Sequence, residues 1–190
     1  MNLKISYIAN RTYNVHTMTK IGLLSDTHDY LDDNILEHFK KCDEIWHAGD
    51  FGTIEVAERL TRSKATQGGQ APVLKGVYGN IDGYDIRSVY PEKLFFSCEE
   101  VNVYIQHIGG YPKRYAAGVK QAIIDNKSNL FISGHSHILK IMYDNNLQCL
   151  HMNPGAAGKQ GWHKMRTIIR FAVDGKEIND CEVIELNLNS

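Results

Sequence analysis

Short apolar runs recur along the chain, and the polar residues that end them are of chemically unusual kinds. Ile21–Leu24 reads as a short buried strand that stops at Ser25-Asp26. Ile35, Leu36 and Phe39 then recur at helical spacing, with charges between them. Glu44–Trp46 forms a second strand and runs into His47-Ala48-Gly49-Asp50. Thr53 suits the N-cap of a helix whose apolar residues are Ile54, Ala57 and Leu60. Pro72–Tyr78 is the next strand, closing at Gly79-Asn80. Lys93–Cys98 and Val101–Ile108 follow, joined at Glu99-Glu100. Ala116, Val119 and Ile123 mark a helix, and Asn129–Ile132 is a strand leading into Ser133-Gly134-His135-Ser136-His137.

Beyond that point strands follow one another directly. Ile138–Tyr143 and Leu147–Met152 flank the turn residues Asp144-Asn145-Asn146. Met165, Thr167, Ile169, Phe171 and Val173 alternate with Arg166, Arg170 and Asp174, which predicts a strand buried on one face. Asp174-Gly175 turns the chain into a last strand in which Ile184, Leu186 and Leu188 alternate. Strand–helix units followed by consecutive strands predict an α/β protein of layered sheets covered by helices. Each polar motif lies just past the C-terminal end of a predicted strand, where ligand sites of open α/β sheets assemble.

Those strand ends supply, in order, Asp26-Thr27-His28, Gly49-Asp50, Gly79-Asn80, His107 and His135-Ser136-His137. Two carboxylates, one amide and four imidazoles without thiolates suit Mn, Fe, Zn, Ni or Co rather than a structural zinc cage. Seven such ligands exceed the needs of one ion, and they divide over two if one carboxylate bridges. His47, three residues before Asp50, is a candidate for a supporting role or a packed structural histidine.

Bulk properties narrow the classes. The chain has 190 residues, 43% hydrophobic and 23% charged, with 21 basic and 22 acidic residues and a net charge of −1. That length suits one well-buried domain, expected over residues 18–190. A near-neutral surface offers no electrostatic footprint for nonspecific nucleic-acid binding. No apolar stretch approaches a membrane span. The first seventeen residues, MNLKISYIANRTYNVHT, lack the apolar core and cleavage site of a signal peptide. They are expected to be an N-terminal extension that the domain does not need. Cys42, Cys98, Cys149 and Cys181 lie far apart with no C-x-x-C pair, as expected of reduced thiols in a cytoplasmic protein.

The order Asp-x-His, Gly-Asp, Gly-Asn, His, Gly-His-x-His resembles the calcineurin-like metallophosphoesterase superfamily. The brevity of the chain, Gly79-Asn80-Ile81-Asp82 and the Asn153–Gly158 segment NPGAAG are most similar to its small bacterial and archaeal phosphodiesterase branch, to which Vps29 is related. The resemblance spans about residues 18–174. It implies a four-layer α-β-β-α sandwich of two mixed β-sheets flanked by helices, with two divalent ions at the strand ends. Mn²⁺ stands first, with Zn, Fe, Ni, Co or Mg as alternatives. It implies Asp26, His28 and His137 at one ion, Asn80, His107 and His135 at the other, and Asp50 between them.

Two ions of this kind can activate a hydroxide for in-line attack on phosphorus and clamp the attacking and departing oxygens. The implied catalytic residues are Asp50, Asn80 and His107, acting on a phosphoester substrate, most naturally a phosphodiester. Many members of the superfamily carry a histidine directly after the motif asparagine, where this chain has Ile81. An isoleucine cannot donate a proton, so Asp82, His163 or a metal-held water is left to protonate the leaving group. Asn153, Lys159 and His163 are candidate substrate contacts; Trp162, Lys113 and Arg114 are further loop candidates. Two alternatives compete. A non-catalytic Vps29-like protein-interaction scaffold would use the same fold. A mononuclear non-haem iron oxygenase would need only two histidines and one carboxylate.

Overall fold

The computed structural model describes residues 18–62 and 70–188; the expected N-terminal extension, residues 1–17, lies outside the described residues. The strand β1 (Thr19–Leu24) leads through Asp32, the N-cap of helix α1 (Asp33–Phe39), to β2 (Glu44–His47), α2 (Ile54–Arg62) and β3 (Val73–Gly76). A short helix α3 (Tyr84–Val89) precedes the antiparallel pair β4 (Lys93–Cys98) and β5 (Val101–Gln106). A small hairpin, β6 (Gly110–Tyr111) with β7 (Arg114–Tyr115), is followed by α4 (Val119–Asp125) and β8 (Leu130–Ile132). Four strands complete the chain: β9 (Leu139–Asp144), β10 (Cys149–Pro154), β11 (Arg166–Asp174) and β12 (Glu177–Leu186).

These strands form two mixed five-stranded sheets, ordered β12-β11-β1-β2-β3 and β4-β5-β8-β10-β9. In each sheet three consecutive neighbours run parallel, β1-β2-β3 in one and β5-β8-β10 in the other. The antiparallel strands β11, β12, β4 and β9 complete the two sheets. Between the sheets lie Ile21, Leu23, Trp46, Val103, Ile105, Leu130, Ile132, Met152 and Ile169. The outer face of the first sheet packs Leu24, Ile45 and Ile168 against Ile35, Phe39, Val56 and Leu60 of α1 and α2. On the second sheet, Tyr104, Phe131 and Cys149 pack against Val119 and Ile123 of α4. The result is the expected α-β-β-α sandwich. α1 sits so close to β1 that a Cβ on Gly22 would lie 2.6 Å from Phe39 Cδ1, which admits only glycine there.

The structure differs from the sequence reading in three places. Strand β11 is covered on both faces, and Arg166 on the face expected to be solvated is fully buried. The reason is position: β11 lies inside its sheet between β12 and β1, where helices cover the face away from the second sheet. Helix α3 and the β6–β7 hairpin carry no amphipathic signal. Only Ile86 of α3 is buried, while Tyr84 and Val89 are exposed. The strand expected to reach Ile108 ends at Gln106, so His107 stands free of the ladder. Among the described residues no helix is long and apolar enough to cross a membrane, and the four cysteines are free thiols.

Candidate metal centre

All seven candidate ligands lie beyond the C-terminal ends of parallel strands: β1 for Asp26 and His28, β2 for Asp50, β3 for Asn80, β5 for His107, and β8 for His135 and His137. The two sheets deliver these ends to one place because their parallel strands terminate on the same side of the sandwich. Five of the ligands have left-handed backbones: Asp26 (φ 54°), His28 (45°), Asp50 (57°), His135 (67°) and His137 (56°). Side-chain-bearing residues adopt this conformation at a cost of about 1 kcal/mol or more each, and such costs cluster at functional sites. Hydrogen bonds between loops hold the strained turns. Asp26 N–H donates to Gly49 O (2.9 Å), His28 N–H to Asp50 O (3.1 Å) and Gly134 N–H to His107 O (3.0 Å).

Two ligand groups result. Asp26, His28 and His137 form one, Asp50, His107 and His135 the other, and within each group the ligand atoms lie within 4.8 Å of one another. His28 Nε2 is 3.3 Å from His137 Nε2, and His137 Nε2 is 3.3 Å from Asp26 Oδ1. In the other group His107 Nε2 is 3.2 Å from Asp50 Oδ2 and 3.1 Å from Asn80 Oδ1. Two carboxylate distances span the groups: Asp50 Oδ2 is 3.7 Å from His28 Nε2, and Asp26 Oδ1 is 4.0 Å from His107 Nε2. His135 and His137 therefore fall in different groups although one residue separates them, because the chain turns at Gly134 instead of continuing β8.

His107 Nδ1 sits 2.8 Å from Ala48 O and must donate its proton there. His107 Nε2 then faces a carboxylate oxygen and an amide oxygen, which either a cation or a second ring proton can satisfy. Asp26 and Asp50 are 0% and 2% exposed, so their charges are not solvated. In the metal-free chain the charge is met by protons instead. Burial pulls the His107 pKa down, but the hydrogen bond to Asp50 and the charges of Asp26 and Asp50 outweigh it and raise it. The hydrogen bond to Asp26 likewise raises His137. Nitrogen and oxygen donors converging on uncompensated acceptors fit divalent ions held by imidazole, carboxylate and amide.

Several residues hold this arrangement without belonging to it. His47 is fully buried, stacked on Phe51 with ring centroids 3.6 Å apart, and is kept neutral by burial and the nearby His107. Its Nε2 lies 3.0 Å from Thr27 Oγ1, and its Nδ1 accepts from Gly49 N–H (3.2 Å), tying the Asp26 turn to the Asp50 turn. The supporting role expected of His47 is thus mechanical. Asp82, a candidate proton donor, is buried, and its two oxygens accept from Gly52 N–H (2.8 Å) and Gly79 N–H (2.7 Å). It fixes the Asn80 turn instead. Arg87 joins in, donating to the backbone oxygens of Gly79 (3.1 Å) and Asp82 (2.6 Å). A side chain on Gly79 would collide with Asp50 Oδ1.

Of the expected substrate contacts, Asn153 is buried and its amide is engaged within the protein. Nδ2 donates to Gly134 O (2.8 Å) and Ser136 Oγ (3.2 Å), and Oδ1 accepts from Gly155 N–H (3.0 Å). It holds the loop bearing His135 and His137, a positioning role, and it also lines a cavity beside that loop. His163 packs edge-on against His137 (centroids 5.3 Å apart), and its Nε2 lies 3.0 Å from Gly158 O. Burial lowers its pKa. Lys159 is exposed, with Nζ 4.4 Å from the Tyr30 ring centroid. Trp162 is fully exposed on the same loop. Neither Asp82 nor Asn153 could be assigned these duties from sequence, because only the fold shows which backbone groups their side chains meet.

A four-layer sandwich with two ligand groups at the ends of its parallel strands defines a metallophosphoesterase-like architecture. The profile of the calcineurin-like phosphoesterase superfamily domain matches residues 19–176, and the chain belongs to that superfamily. No curated protein matches the chain significantly. Among solved structures it is similar to an archaeal phosphodiesterase (21% identity, TM-score 0.69, covering 88% of this chain and 100% of that one). It is also similar to vacuolar protein sorting 29 from Cryptosporidium parvum (17%, TM-score 0.68, covering 90% and 98%). A third is Vps29 from Entamoeba histolytica complexed with Zn²⁺ (13%, TM-score 0.67, covering 90% and 100%).

Proposed function

We propose that the chain is a cytoplasmic, metal-dependent phosphodiesterase with a dinuclear centre, Mn²⁺ being the first ion to try, and that residues 18–190 make up its single working domain. The observation that carries this reading is the convergence at His107 Nε2, which lies within 3.2 Å of both Asp50 Oδ2 and Asn80 Oδ1. Asp26, His28 and His137 would hold one ion, Asn80, His107 and His135 the other, and Asp50, within 3.7 Å of histidines from both groups, would join them. Divalent ions held there polarise water and offset the negative charge that gathers on phosphoryl oxygens during displacement.

The chain's own residues supply position. Ala48 O fixes the His107 ring in one tautomer and one orientation, as hydrogen-bonded carbonyls do for ligand imidazoles. Asp50 Oδ1 accepts from Ile81 N–H (3.0 Å), which leaves Oδ2 directed at the histidines. The deciding assay is hydrolysis of bis-p-nitrophenyl phosphate with added Mn²⁺, in parallel with Asp50→Ala. Turnover that the variant loses supports the reading. Inactivity of the wild type with Mn, Zn, Fe, Ni, Co and Mg would favour a protein-interaction scaffold, a reading that draws on the likeness to Vps29.

A further inference from the structure

Beside the candidate metal centre lies a cavity of about 340 Å³, walled by the β6–β7 hairpin on one side and the His135 loop and β9 on the other. Its lining includes Tyr111, Arg114, His135, Ser136, Lys140 and His151, and no aspartate or glutamate. His135 is common to the cavity and to the second ligand group. Lys140 Nζ sits 3.5 Å from the centroid of the Tyr111 ring, a cation–π contact that holds the ammonium at the wall. Neither Lys140 nor Arg114 is ion-paired among the described residues, whereas Lys75, Arg166 and Arg170 each meet a carboxylate.

Lys140 is half-buried and Arg114 exposed, and both cations line a concave, carboxylate-free wall. Nearby, His151 is buried, its Nε2 is 3.0 Å from Ser133 Oγ, and its Nδ1 has no hydrogen-bond partner among the described residues. Burial and the Lys140 charge hold its pKa down at about 4, so the imidazole adds no positive charge and remains an acceptor. Cavities of a few hundred Å³ with a small number of convergent polar groups are the usual form of a small-molecule subsite.

We propose that this cavity binds a second phosphate, carried as a terminal monoester on the retained arm of a phosphodiester whose scissile phosphorus lies at the metal centre. A phosphate monoester bears close to two negative charges at neutral pH, matching Lys140 and Arg114 together; a carboxylate would leave one unmatched. The inference names the substrate class of the phosphodiesterase reading and rests on it.

The test uses thymidine 5′-(4-nitrophenyl phosphate) with and without a 3′-phosphate, assayed with Mn²⁺. The 3′-phosphate is expected to raise kcat/KM at least tenfold, through KM. Lys140→Gln and Arg114→Gln should each shrink that ratio, and the double variant should bring it to about one. A variant that is merely damaged lowers both substrates together and leaves the ratio intact, which would count against the proposal, as would equal rates for the wild type. Calorimetric binding of thymidine 3′,5′-bisphosphate against thymidine 5′-phosphate gives a readout without turnover. If no ester is hydrolysed but the bisphosphate binds tenfold more tightly and the variants erase the difference, the phosphodiesterase reading fails and the anion site stands. Equal binding of the two nucleotides overturns the site.

Discussion

The backbone N–H of His135 points at the carboxylate of Asp26, 3.2 Å from one oxygen and 3.1 Å from the other. Asp26 belongs to the first ligand group and His135 to the second, so one carboxylate orients a residue of each. The contact is buried at Asp26, where a hydrogen bond to an ionised group is worth about 1.5–3 kcal/mol. Asp26→Ala is therefore expected to weaken both groups, and His137→Ala only the first. Equilibrium dialysis against Mn²⁺ with elemental analysis should show Asp26→Ala losing both ions and His137→Ala retaining one. Equal losses in the two variants would count against this coupling.

Leaving-group dependence follows from what surrounds Ile81. Both oxygens of Asp82 accept backbone N–H groups, and burial keeps His163 neutral. Neither side chain is then free to protonate a poor leaving group at neutral pH. Aryl phosphodiesters should be turned over faster than simple alkyl phosphomonoesters, by about a hundredfold or more in kcat/KM, the usual lower bound for general-acid assistance. Comparable values for the two ester types would show that another acid is in place.

Arg166 is the largest charged group in the interior. Its guanidinium donates to Asp32 Oδ2 (2.7 Å), Ala157 O (2.7 Å) and Asn187 O (3.3 Å), and it stacks 4.8 Å from the Tyr30 ring centroid. Asp32 in turn accepts from Ile35 N–H (3.0 Å) and caps α1. Arg166→Leu should cost about 3 kcal/mol, because buried acceptors lose their donor, and lower Tm by roughly 6–12 °C for a chain of this size. Arg166→Lys should recover little, since an ammonium cannot reproduce the planar fork. Differential scanning calorimetry of both variants checks the pair.

The contribution of His151 to stability should fall on mild acidification. Folding holds His151 neutral, with its pKa near 4 through burial and the Lys140 charge, against an ordinary value of 6.5. Below about pH 6.5 the unfolded chain binds a proton that the folded chain refuses. The stabilisation present above that pH is thus lost progressively down to about pH 4, at most about 3 kcal/mol from this residue. His47, lowered by burial and by His107, acts in the same direction, whereas the raised His107 and His137 act in the opposite one. Thermal melts at pH 7.5 and 5.0 check the His151 share: acidification should lower Tm less, or raise it more, in His151→Gln than in the wild type.

Much of this protein is legible in its residue order. Apolar runs located the covered strands β1, β5 and β8 to within a few residues, because a strand in a covered sheet must be apolar whatever its neighbours are. The chemistry-bearing residues were legible for a related reason. Asp26, His28, Asp50, Asn80, His107, His135 and His137 each follow such a run, and buried positions rarely hold imidazoles or carboxylates without a partner.

Only the tertiary structure decided which side chains act and which merely hold. Asp82 and Asn153 look reactive in the sequence, yet both spend their polar atoms on backbone groups of turns distant along the chain. Arg166 alternates as a surface residue would, and is buried because β12 and the helices close over it. Local pattern fixes how much of a residue must be hidden from water. Its hydrogen-bond partners come from long-range packing, and those partners assign its role.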